Sequence, residues 1–264
     1  MKPIFGRGPS LQLRLFLAVI ISVAAIVADS RFGVFSHVRV YLSSLVSPLQ
    51  YIANAPGTLL DTIDDLAAAA NAMLADFRLP LRSRDEVQGF VGRGIADLVK
   101  RCLPEDVGEP ARSNALPVFR RHYATHNGRQ ARLYPGVREG LQALKAQGLS
   151  LAVVTNKAKA FSEPLLVLTG LAPYFTCTVS GDSLPQRKPH PAPLLHAIHE
   201  MGGTPATNLH VGDSAHDADC ARAAGSAVAL VPYGYGGPEG VRNLDCDVIF
   251  ESLVDLAHSL ATAR

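Results

Sequence analysis

Short apolar runs rich in β-branched residues recur through the second half of the chain: LSLAVVT (149–155), FTCTVS (175–180), NLHVGDS (208–214), SAVALV (226–231) and CDVIF (246–250). A run that is apolar on both faces suits a strand buried inside a parallel sheet. Helical periodicity fills the gaps, at 136–147, 159–170, 191–201 and 216–225. Gly148, Gly170, Gly202 and Gly225 stand where the C-caps of those helices belong. Strands alternating with helices predict an α/β fold with a doubly wound, Rossmann-like parallel sheet. Residues 62–132 break the alternation. TIDDLAAAANAMLADF and RDEVQGFVGRGIADLVKRCL read as helix throughout, which predicts a helical cap inserted into the α/β core.

The first 56 residues follow another pattern. Lys2, Arg7 and Arg14 precede an apolar run over residues 15–28 in which Ser22 alone is mildly polar. As helix the run spans about 21 Å, short of a hydrocarbon core of about 30 Å, and extending it back to Leu11 gives about 27 Å with Arg14 reaching toward the headgroups. A single-pass inner-membrane anchor over residues 11–28 is the expectation. A cleaved signal peptide and a buried core helix are the alternatives. Beyond Asp29, Val34, Val38, Leu42, Leu45, Leu49 and Ile52 recur at steps of three and four, the face of an amphipathic helix that Pro48 would kink. The expected organisation is thus an anchor and amphipathic helix over 1–56, a core made of 57–61 and 133–264, and a cap over 62–132.

Composition narrows this only a little. Apolar residues make up 48% of the 264 and can fill a real core, and the net charge of +2 comes from scattered residues, without a nucleic-acid footprint. Cys102, Cys177, Cys220 and Cys246 lie far apart, without metal or redox spacing, and read as reduced thiols rather than disulfides.

In a doubly wound sheet, ligands bind beyond the carboxyl ends of the strands. Three polar groups fall there. Thr155 and Asn156 end the first strong strand, where a hydroxyl and backbone N–H groups suit a phosphate oxygen. Lys188, in QRKPHPAP, precedes a helix and suits phosphate charge. Asp213 ends another strand in HVGDSAHD, with Asp217 four residues on, and two carboxylates suit Mg²⁺. Singly, each has an ordinary explanation: a strand-end threonine, a solvated lysine, a helix N-cap. Together and in this order they point to phosphate chemistry.

Two resemblances sharpen the picture. Residues 57 to about 258, with GTLLDTIDDLAAAANAML, LYPGVREGLQALK, VVTNK, RKPHPAPLL, VGDSAHDADCARAAG and VPYGYGG, resemble phosphoglycolate phosphatases of the haloacid dehalogenase superfamily. That resemblance implies Mg²⁺-dependent hydrolysis of a small phosphorylated acid such as 2-phosphoglycolate, in the cytosol. Thr155 would bind phosphate, Lys188 would stabilise the phosphorylated intermediate, and Asp213 would ligate Mg²⁺ with Asp217 in support. Residues 91–94 would be the cap loop that reaches the substrate, with Arg93 toward its carboxylate. Residues 11–57, above all PLQYIANAPG, resemble the N-terminus of the rod-shape-determining protein C family, which implies an inner-membrane location and, as partners, cell-wall elongation proteins.

The phosphatase motif Asp-x-Asp-Gly-Thr is broken. Aligned on Gly57-Thr58, the nucleophile position holds Asn54 and the acid/base position holds Pro56. A neutral amide is a poor nucleophile and a weak ligand for a hard cation, and proline exchanges no proton. The helical pattern of SPLQYIANA also predicts that the central strand is replaced or missing. The expected function is a phosphoglycolate phosphatase-like hydrolase, impaired or inactive, with a join near residue 57 that a gene fusion, a rearrangement or a sequence-assembly artefact would each produce. The alternatives are a membrane-tethered, non-catalytic scaffold and a sugar-phosphate phosphatase.

Overall fold

The computed structural model describes residues 50–236 and 240–262. The anchor, the amphipathic helix before Gln50 and their membrane and cell-wall partners lie outside the described residues. Among those described, no helix is long and apolar enough to cross a membrane.

The core is a six-stranded sheet. Its strands are β1 (Gln50–Ala53), β4 (Ser150–Val154), β5 (Cys177–Val179), β6 (Asn208–Gly212), β7 (Ala227–Leu230) and β8 (Val248–Ile249), in the order β5-β4-β1-β6-β7-β8 and parallel throughout. The alternation of apolar runs and helices predicted this sheet. It did not predict its centre. The expectation of a missing first strand is corrected: Gln50–Ala53 pairs on one side with residues 150–153 and on the other with 208–211. The backbone N–H of Asn54 carries the ladder one step further, to Val211 O at 3.0 Å. The physical reason is backbone satisfaction. Strands β4 and β6 leave a slot of unpaired N–H and C=O groups that a buried interior cannot tolerate, and this outweighs the weak helical periodicity of one short segment.

Alternation within β1 serves both faces. Tyr51 and Ala53 point into one apolar layer, where they meet α5 (Val137–Ala146), α6 (Lys159–Leu168) and α9 (Leu253–Thr262). Ile52 points into the other layer, against α7 (Ala192–Glu200) and α8 (Ala215–Ala224). Helices on both faces explain why the strands read as continuous apolar runs.

The short antiparallel pair β2 (Leu60–Asp61) and β3 (Arg132–Leu133) brackets the helical insertion. Its helices are α1 (Ile63–Asp76), α2 (Arg84–Phe90), α3 (Ile95–Cys102) and α4 (Ala111–His126). They enclose an apolar cluster of their own, with Met73, Leu74, Phe119 and Tyr123 fully buried. Ser83 and Glu86 form a capping box at the start of α2. The reading of continuous helix is interrupted at residues 91–94, where Gly92 and Gly94 take positive φ and separate α2 from α3. The carboxylate of Asp65, fully buried in α1, accepts N–H bonds of 2.8 Å from both Gly128 and Gln130 and so pins the returning strand to the insertion's first helix.

Candidate active site

Because the sheet is parallel, the residues that follow its strands gather at one edge. Asn54 follows β1, Thr155 follows β4 and Asp213 follows β6, and these are the three adjacent central strands. A cavity of about 290 Å³ opens above them, roofed by residues of the helical insertion. Asn54, Pro56, Thr155, Asn156, Lys188 and Asp213 all line it. The structure thus gathers these six residues around one cavity, but not Asp217 or Arg93.

Asp217 does not reach the cavity wall; it lies behind it, fully buried. Its Oδ1 accepts from Lys188 Nζ at 2.7 Å and lies 3.1 Å from His210 Nε2, and its Oδ2 accepts from Ser214 Oγ at 2.7 Å and Asp213 N at 3.3 Å. Burial on its own would raise this carboxyl, but the Lys188 ammonium and the His210 bond outweigh it and hold the group far below the usual carboxylate range. Lys188 Nζ also donates to Val154 O at 2.9 Å. Asp217 and the end of β4 therefore fix the lysine head at the cavity wall.

Asp213 is the carboxylate at the cavity. Oδ1 accepts from Thr58 Oγ1 at 2.8 Å and Asn54 Nδ2 at 3.0 Å, and Oδ2 accepts from Tyr235 N at 2.8 Å. Burial, and then the nearby Asp217, push its carboxyl up against these donors. Glycine is required beside it. A Cβ on Gly57, which has φ +85°, would stand 2.2 Å from Asp213 Oδ2.

Asn156 spends its side chain on structure. Its Nδ2 donates to Gly92 O at 2.9 Å and Lys188 O at 3.0 Å, and its Oδ1 accepts from Lys188 N at 3.0 Å. It thus ties the loop at 91–94 to the lysine loop, leaving only its backbone N–H for a ligand. Arg93 is exposed and is not part of the cavity wall.

Sequence reasoning passed over His216, Lys157 and Tyr235, which also line the cavity. His216 sits between the two aspartates of VGDSAHD and faces Gly92, whose Cβ would come within 3.3 Å of the ring. Burial lowers its pKa, with Asp217 opposing and Arg93 and Lys188 adding. Its position inside a recognised motif was the available signal. Tyr235 lies in VPYGYGG, and its hydroxyl accepts from Thr62 N and donates to Leu60 O at 3.2 Å.

The match to the haloacid dehalogenase-like hydrolase family spans residues 56–231. The chain belongs to that family. It is 51% identical over 206 residues to a phosphoglycolate phosphatase of Nitrosospira multiformis, covering 75% of this chain and 89% of the relative. It is 47% identical over 210 residues to the plasmid phosphoglycolate phosphatase of Cupriavidus necator, covering 79% and 91%. The crystal structure of a predicted phosphoglycolate phosphatase from Haemophilus somnus superposes with a TM-score of 0.77 at 33% identity, over 81% of this chain and 98% of that one. This chain is therefore a phosphoglycolate phosphatase-like member of the haloacid dehalogenase-like family, and its family match begins at Pro56, just past Asn54.

Mg²⁺, the cation implied by the resemblance, needs oxygens that converge on one point. The Pro56 carbonyl and Asp213 Oδ1 do converge, but the amide nitrogen of Asn54 stands between them, 2.8 and 3.0 Å away. The side chains as arranged do not fit Mg²⁺ here.

Proposed function

We propose that this chain holds a phosphorylated small acid, such as 2-phosphoglycolate, in the cavity above β1, β4 and β6 without hydrolysing it at a useful rate. The carrying observation is the pair at the end of β1: an amide at Asn54, with both hydrogens already committed, and Pro56 beside it. Thr155 Oγ1, the Asn156 backbone N–H and Lys188 Nζ are the groups that would meet the phosphate. Asp217 would serve by holding Lys188 rather than by touching the ligand. Without a carboxylate at 54 no aspartyl-phosphate forms, and without an acid at 56 the leaving alcohol goes unprotonated, which alone is worth about 10²–10⁴ in rate. Arg93, at the exposed rim, is the cap residue proposed to meet the substrate's carboxylate.

The deciding experiment measures phosphate release from 2-phosphoglycolate, with a sugar phosphate in parallel. The proteins are the unmodified chain, Asp213→Ala, Asn54→Asp, and Asn54→Asp with Pro56→Asp. The unmodified chain is expected to match Asp213→Ala. The double variant is expected to gain far more than the single one, because residues acting as a unit are non-additive. Robust Asp213-dependent turnover by the unmodified chain would overturn the proposal, and turnover of only the sugar phosphate would move it to another substrate.

The proposed domain organisation keeps a membrane tether at residues 11–28 and a cap of 62–132, but its core takes in residues 50–56 as well as 57–61 and 133–264, because Gln50–Ala53 is the sheet's central strand. The basic flank and apolar run of the N-terminus support the tether. Carbonate-washed membranes should retain the full-length chain, and its recovery in the soluble fraction would refute the tether.

A further inference from the structure

Asn54 gives both of its amide hydrogens to oxygens, 2.8 Å to Pro56 O and 3.0 Å to Asp213 Oδ1. Turning the amide over would press Oδ1 against those same two oxygens, so the neighbours dictate its orientation. The two acceptors come from separate parts of the fold, the turn after β1 and the end of β6. Two oxygens converging from separate elements repel each other unless something electropositive sits between them. In a phosphate site of this kind that something is ordinarily a hard divalent cation. Here a polarised N–H₂ group occupies the place. Asp213 also accepts from Thr58 Oγ1 and Tyr235 N, so the carboxylate has three donors without any ion. The surroundings are built around this contact. Gly57 and Gly234 press on Asp213, where a Cβ would come within 2.2 and 2.3 Å of its side chain. The carboxylate therefore has little room to swing away and open a cation site.

We infer that the Asn54 amide is a built-in replacement for the divalent cation, so that this pocket is complete, and stays closed to Mg²⁺, in the unmodified chain. The inference rests on reading the cavity as a phosphate site. It predicts a reversal on changing one residue. Asn54→Asp would set a second anion against Asp213, and the pocket would then need a cation to hold it together.

Thermal unfolding of the full chain is compared in EDTA and in excess Mg²⁺. The unmodified protein is expected to melt at the same temperature in both. Asn54→Asp is expected to melt lower than the unmodified chain in EDTA, and to rise by about 5–10 °C with Mg²⁺ a hundredfold above its Kd. A comparable Mg²⁺-induced rise in the unmodified chain, or an Asn54→Asp protein indifferent to Mg²⁺, overturns the inference. Should Asn54→Asp fail to fold, the unmodified chain decides alone. The side-chain N–H₂ signals of Asn54, identified by their loss in Asn54→Ser, should not move when millimolar Mg²⁺ is added; a shift or disappearance overturns the inference. Calorimetry with inorganic phosphate separates the two readings. Affinity within twofold in the two buffers is expected, and a tenfold gain with Mg²⁺ refutes the replacement. No phosphate binding in either buffer sinks the phosphate-site reading, while the melting and amide data still decide this one.

Discussion

Lys188 Nζ lies 2.7 Å from Asp217 Oδ1, with 3% and 0% of the two side chains exposed. A pair this deeply buried is held more by the cost of separating its members than by net attraction, since each desolvated charge is tolerable only beside the other. Lys188→Met leaves Asp217 charged and short of its strongest donor. It should lose about 3–5 kcal/mol of stability. Lys188→Met combined with Asp217→Asn should recover part of that loss, giving a non-zero coupling in a double-mutant cycle followed by urea unfolding.

Gly57 separates two costs that are usually confounded. Gly57→Ala meets both a φ of +85° and a Cβ 2.2 Å from Asp213 Oδ2, whereas Gly148→Ala meets only a φ of +78° with nothing within 4 Å. Gly148→Ala should cost about 1–2 kcal/mol for the left-handed conformation alone. Gly57→Ala should cost clearly more, and it should also weaken phosphate binding, because Asp213 must shift. Equal losses in urea unfolding would show that the turn moves freely without disturbing the carboxylate.

Lys157 predicts a pH dependence. Its amine is buried against Tyr123 and Asn127, donating to the Tyr123 hydroxyl and, at 3.4 Å, to Asn127 Oδ1. Burial pushes its pKa down from 10.5 to about 7, and Asp65, the charged group facing it from α1, offsets only part of this. Tyr123 is itself pushed up by burial and stays neutral. The folded chain therefore binds fewer protons than the unfolded chain between those two values. The cost of burying the ammonium is fully present below about pH 7 and is relieved as pH rises toward 10.5, so stability rises across that window. Denaturation at about pH 6.5 and about pH 9 should show this rise, and Lys157→Met should flatten it.

Tyr51 tests how well the central strand suits its place. It is 1% exposed, and its hydroxyl has no hydrogen-bond partner among the described residues. Burial accordingly raises its pKa well above the usual value, with Tyr233 adding. Tyr51→Phe removes an unsatisfied polar atom and should stabilise the fold by about 1 kcal/mol. A loss of stability would mean that the hydroxyl has found a bonded partner, such as buried water.

The local chemistry of the sequence determined much of this protein. Period and β-branched content located β4, β5, β6, β7 and β8 and the helices between them, because each run makes the same local choice that the tertiary fold requires. The order of Thr155, Lys188 and Asp213 along the chain was enough to place them at one edge, since parallel strands all end on the same side. The loss of carboxylates at 54 and 56 was likewise visible from residue identity alone. What the sequence misjudged was Gln50–Ala53, too short for its periodicity to mean anything on its own; only the empty slot between β4 and β6 makes it a strand. The division of labour between the two aspartates was also invisible, because spacing treats Asp213 and Asp217 alike. Burial behind β6 and the bond from Lys188 turn one into a support, while the other faces the cavity. The direction of the Asn54 amide, toward two oxygens from different parts of the chain, is a property of three-dimensional neighbours, and a residue's neighbours across the fold are what a linear sequence does not contain.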